Sequence, residues 1–111
     1  MENLKNFIVY KSSAGSGKTY TLVREFLRIV IESDDSTRYR NILAITFTNK
    51  AAAEMKERVL DNLKKLSEEK DSNLLLDYAK EFGIEKDIIK TKARKILQSV
   101  LHNYSDLKIL T

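Results

Sequence analysis

Apolar positions recur along the chain with two periods, and the switches between them predict the order of elements. The run "NFIVYK" (residues 6–11) is short, rich in aromatic and β-branched residues, and stops at a Ser/Gly cluster, as a buried strand does. In "KTYTLVREFLRIVIE" (residues 18–32), Leu22, Val23, Phe26, Leu27, Val30 and Ile31 fall at helical spacing on one wide apolar face. The polar stretch "SDDSTRYR" (residues 33–40) breaks that pattern, and "NILAITF" (residues 41–47) is again a short, bounded apolar run. Strand, helix, strand predicts a βαβ unit with parallel strands and a right-handed crossover.

A strong second helix follows over residues 48–66, with Ala52, Met55, Val59, Leu63 and Leu66 on one face, Thr48 or Asn49 placed as N-cap, and Lys50, Glu54 and Arg58 as opposite charges one turn apart. "LLLDYAKEF" (residues 74–82) reads as a short helix stopped by Gly83. A longer helix is expected over residues 85–104, with Ile89, Ala93, Ile96, Leu97, Val100 and Leu101 on its apolar side, and "DLKILT" opens a third strand. There is no internal repeat, low-complexity tract or linker.

The candidate chemistry sits between the first strand and the first helix. Here "SSAGSGKT" comprises Ser12, Ser13, Ala14, Gly15, Ser16, Gly17, Lys18 and Thr19, and it follows the phosphate-loop frame G-x-x-x-x-G-K-[ST], with Ser12 in place of the first glycine. Gly15 and Gly17 let successive backbone N–H groups turn inward as an anion nest, reinforced by the positive end of the helix dipole. Lys18 suits the β- and γ-phosphates of ATP, and the Thr19 hydroxyl suits Mg²⁺, which takes hard oxygen ligands.

Composition adds limits rather than a function. The 111 residues make one domain at most, and the 42% hydrophobic and 32% charged content is that of a globular protein. No apolar run is long enough to span a bilayer, no signal-peptide pattern opens the chain and there is no cysteine, so a cytoplasmic address with no membrane role is expected. A net charge of +4 permits a polyanionic partner without requiring one. The basic cluster Lys86, Lys90, Lys92, Arg94 and Lys95 reads as a solvated helix face, as do Arg24 and Arg28. His102 has no ligand partner at metal spacing, and Asp77 after "LLL" mimics a Walker B aspartate but lies in a helical pattern.

A phosphate loop alone serves many enzymes. The second strand and the turn after it, "AITFTNKAAAEMKERV" (residues 44–59), closely resemble motif Ia of superfamily 1 helicases of the UvrD/Rep type, and "AGSGKT" resembles the RecB/AddA branch of that family. Residues 104–111 resemble the approach to the family's T-I-D-S-F motif. The resemblance implies an α/β fold with an incomplete RecA-like P-loop NTPase parallel sheet, followed by a mainly helical segment. Residues 1–66 would form the first βαβα of the ATP-binding domain, and residues 67–111 a helical insertion returning to a third strand. It further implies single-stranded-DNA contacts from the loop Thr46, Phe47, Thr48, Asn49 and Lys50. Phe47 would stack on a base and its neighbours would touch phosphates.

The expected function is therefore that of an ATP-binding, DNA-contacting amino-terminal part of an ATP-dependent DNA helicase acting in repair or recombination, with Mg²⁺ as cofactor and, among its partners, a second helicase-nuclease subunit. The family's Walker B carboxylates and transition-state arginine are not found in the sequence, so a piece of a longer protein, binding nucleotide without turning it over, is expected. A stand-alone nucleotide-binding DNA-interaction module and a small P-loop kinase or other NTPase stay open as alternatives.

Overall fold

The computed structural model describes the backbone of residues 6–9, 17–46 and 48–110, with side chains from residue 20 onward in those ranges. Strand β1 (Asn6–Val9) leads to helix α1 (Gly17–Glu32), a 3₁₀ turn at Arg38–Asn41 and strand β2 (Ile42–Ile45). Helices α2 (Asn49–Ser67), α3 (Asn73–Phe82) and α4 (Lys86–His102) follow, and strand β3 (Lys108–Leu110) closes the order after a second 3₁₀ turn. The described residues are thus mostly helical around a parallel sheet of order β1-β2-β3.

Local chemistry sets the ends of these elements. Thr48 is the N-cap of α2, its hydroxyl accepting from the Ala51 amide at 3.0 Å. Ser72 caps α3 in the same way, accepting from Leu75 at 3.1 Å. Gly83 ends α3 in the left-handed region at φ 68°, where its amide bonds back to the Ala79 carbonyl.

The apolar stripe of α1, residues Leu22, Val23, Phe26, Leu27, Val30 and Ile31, is buried throughout. It shares one core with Met55, Val59, Leu63 and Leu66 of α2, with Ile89, Ala93, Ile96 and Val100 of α4, and with Ile42 and Ile109 of the sheet. Leu101, placed by periodicity on the apolar side of α4, is instead 62% exposed, because the stripe turns away from the core at the helix end. Within the polar run 33–40, Tyr39 is fully buried and its hydroxyl lies 2.8 Å from Ser99 Oγ, fastening the α1–β2 connection to α4.

The basic cluster of α4 is not simply solvated. Lys92 donates to the carbonyls of Ile31 and Ser33 at the end of α1, and Arg94 to the carbonyl of Ser67 at the end of α2. Lys90 reaches the Glu69 carbonyl at 2.6 Å and, with Lys86, pairs with Asp71. These cations meet carbonyls that a helix end leaves without an internal partner, where the helix dipole also favours positive charge. Arg24 pairs with Glu81 across to α3, and Arg28 with Glu25 and Glu32 along α1.

Candidate functional site

Parallel pairing brings the strand ends into one row. Val9 pairs with Ile45, and Ile45 in turn with Leu110, so all three strands finish at the same level. Neighbouring strands lie about 4.8 Å apart. The segment 10–16 therefore departs one strand spacing from where residue 46 departs, and both do so at the carboxyl edge where open α/β sheets bind ligands.

Of the phosphate-loop residues, Ser12, Ser13, Ala14, Gly15 and Ser16 lie outside the described residues. Gly17, Lys18 and Thr19 form the first turn of α1, described through their backbone. That turn carries no acidic residue, so no carboxylate opposes an anion at the positive end of the helix. Strand, connection and helix follow in the order a phosphate loop needs, and the residues present fit a nucleotide's phosphates.

Phe47 also lies outside the described residues, but its flanks are well defined. Thr46 is 4% exposed. Its amide donates to the Leu110 carbonyl at 2.7 Å, and its hydroxyl lies 3.2 Å from both the Leu110 and the Thr48 carbonyl oxygens. Thr48, Asn49 and Lys50 are exposed, and the Thr48 hydroxyl holds the α2 cap. Thr46 and Thr48 thus shape the turn, while Asn49 and Lys50 open the helix at its surface.

Two residues that sequence reading did not single out meet beside this turn. The Lys56 ammonium sits 5.7 Å from the centre of the Tyr104 ring, bridging α2 and the turn before β3. Lys56 lies one α2 turn beyond the Ala52–Ala53 pair, so its spacing was visible, but the contact with Tyr104 needs the tertiary fold. Elsewhere, Asp77 is an exposed residue of α3 and His102 an exposed residue of α4. Among the described residues no cluster of His, Cys, Asp or Glu could hold a metal, and no helix is long and apolar enough to cross a membrane.

A parallel α/β unit with a glycine-rich strand-to-helix connection defines a nucleotide-binding class of protein. More specifically, the UvrD/REP helicase N-terminal domain matches residues 1–110, and the chain belongs to that family. It is 41% identical over 58 residues to an ATP-dependent helicase/nuclease subunit of Clostridium beijerinckii, a match covering 52% of this chain and 5% of the relative. The corresponding protein of Clostridium kluyveri is 44% identical over 61 residues, covering 55% of this chain and 5% of the relative. That of Clostridium botulinum (strain Okra) is 32% identical over 104 residues, covering 92% of this chain and 8% of the relative. The chain spans less than a tenth of the length of these relatives. No solved structure matches it significantly.

Proposed function

We propose that this chain is the ATP-gripping and single-stranded-DNA-contacting part of a RecA-like motor domain in a helicase of the ATP-dependent helicase/nuclease type. The observation that carries this reading is the row formed by Val9, Ile45 and Leu110, which sets the 10–19 segment and the 46–50 turn side by side at one edge of the sheet. Adjacent ATP and DNA sites are what coupling between hydrolysis and movement along a strand requires.

In this reading, backbone N–H groups of residues 12–17 and the first turn of α1 cradle the phosphates, and Lys18 neutralises the β- and γ-phosphates. Thr19 supplies a hydroxyl toward the Mg²⁺ that accompanies the nucleotide. When bound, the nucleotide supplies a phosphoanhydride whose cleavage releases energy for movement. Phe47 stacks on a base, and Asn49 and Lys50 contact phosphates from the start of α2, where the helix dipole adds attraction. Thr46 and Thr48 hold the turn that presents them. The relatives' names support a role in DNA recombination or repair, in company with a second subunit.

Titration calorimetry of the chain with ATP and Mg²⁺ tests the first half. Binding is expected, and Lys18→Ala should weaken it at least tenfold; unchanged affinity would refute the phosphate-loop assignment. Fluorescence anisotropy with labelled single-stranded oligonucleotides tests the second, where Phe47→Ala should weaken binding irrespective of base sequence.

A further inference from the structure

We propose that the groove between α2 and β3 is a second contact surface for single-stranded DNA, in which a base stacks on Tyr104 and Lys56 engages the neighbouring phosphate. The inference rests on the reading of the 46–50 turn as a DNA contact and extends that path along α2.

The groove has a volume of about 690 Å³. Asn49, Ala52, Ala53 and Lys56 line it from one face of α2, with Leu110 and Tyr104 opposite. The two alanines keep it open, since larger side chains at those positions would fill it. Tyr104 is 44% exposed and Leu110 50% exposed, so an aromatic ring and an aliphatic side chain both face the solvent there. Such surfaces accept any base, because every base has a π-face.

Charge favours a polyanion in this groove. Its lining includes Lys56 and no carboxylate, whereas another face of α2 gathers Glu54, Glu57 and Asp61. A strand carrying one phosphate per nucleotide is repelled from the acidic face and attracted to the other.

The groove is also continuous with the 46–50 turn. Asn49 belongs to both, and Leu110 is hydrogen-bonded to Thr46. From Asn49 to Lys56 the helix rises about 10 Å. That length holds two to three nucleotides at about 3.4 Å each.

The test is anisotropy of a fluorescein-labelled oligothymidylate with the wild-type chain, Tyr104→Ala, Tyr104→Phe, Lys56→Gln and Phe47→Ala, over a series of salt concentrations. Tyr104→Ala should weaken binding about fivefold or more, and Tyr104→Phe should restore it. Lys56→Gln should lower the slope of log K against log salt by about 0.7, the loss of one phosphate contact on a single strand. The Tyr104 and Lys56 substitutions lie at the surface, and circular dichroism checks that each variant is folded. Wild-type binding by Tyr104→Ala and Lys56→Gln, with loss in Phe47→Ala alone, would overturn the groove and leave the turn standing. Loss in Tyr104→Ala but not in Phe47→Ala would uphold the groove and refute the turn. No binding by the wild-type chain at low salt would overturn both.

Discussion

Thr46 and Leu110, 64 residues apart in sequence, are joined twice: the Thr46 amide donates to the Leu110 carbonyl at 2.7 Å, and the Thr46 hydroxyl lies 3.2 Å from the same oxygen. The end of β2 is thereby fixed to the end of β3 at the edge where the proposed ligands bind. A three-residue strand such as β3 has few ladder bonds of its own, so this link extends its pairing by one more position.

Thr46→Val keeps the branched shape and the amide bond but removes the hydroxyl. Two carbonyl oxygens then each have one donor fewer at a site from which water is largely excluded. The expected cost is about 1 kcal/mol. Urea denaturation should show it as a lower midpoint with an unchanged slope.

Lys92 offers a way to separate stability from nucleic-acid binding in the basic cluster. Its ammonium donates to the Ile31 carbonyl at 3.0 Å and the Ser33 carbonyl at 3.2 Å, and lies 3.9 Å from Asp34. Lys92→Met retains the aliphatic stem and removes the cation that ties α4 to the end of α1. Stability should fall by about 1 kcal/mol. Affinity for single-stranded DNA should stay within about twofold of wild type, since this contact is internal to the fold. A large loss of DNA affinity without a loss of stability would assign Lys92 to the nucleic acid instead.

The order and type of elements were legible in the sequence because each has a clean period: six of six apolar positions named on α1 are buried, and so are all five named on α2. The caps were legible too, since Thr48 and Gly83 act through local backbone geometry. What periodicity could not reveal was tertiary in origin. Tyr39 is a single aromatic in a polar run, and nothing nearby in sequence shows that Ser99 awaits it. Lys92 and Arg94 look like solvated cations until the ends of α1 and α2 are brought against α4. Lys56 and Tyr104 likewise meet only because β3 returns beside α2. For the candidate site, sequence supplied the phosphate-loop residues and Phe47, while the sheet register supplied their shared edge.

Gly83 tests backbone conformation apart from packing. It ends α3 at φ 68°, and a Cβ built there meets nothing within 4 Å. Gly83→Ala therefore introduces no clash, yet it holds an L-residue in the left-handed region. A loss of about 1 kcal/mol is expected, visible as a lower thermal midpoint. Gly83→Asn should recover part of it, because asparagine tolerates that region better.

Tyr78 carries the clearest pH dependence. It is 1% exposed, packed with its ring centre 4.8 Å from that of Phe82, and its hydroxyl finds no well-formed hydrogen-bond partner among the described residues. Burial, which disfavours the phenolate, pushes its pKa up from 10.0 to about 12, with the nearby Asn62 amide opposing the shift slightly. Below about pH 10 both the folded and the unfolded chain keep the proton, and stability is intact. Between about pH 10 and 12 the unfolded chain ionises while the folded chain does not, so ionisation favours the unfolded state and stability falls, by on the order of 2 kcal/mol. Tyr78→Phe removes this contribution. At pH 7 the variant should lie within about 1 kcal/mol of wild type, because the hydroxyl it deletes has no well-formed bond to lose. The difference in stability between the two proteins, followed by urea denaturation from pH 8 to 12, should move steadily in favour of Tyr78→Phe above about pH 10. A constant difference across that range would mean that the Tyr78 hydroxyl titrates as freely in the folded chain as in the unfolded one, and that the α3 core is open to water.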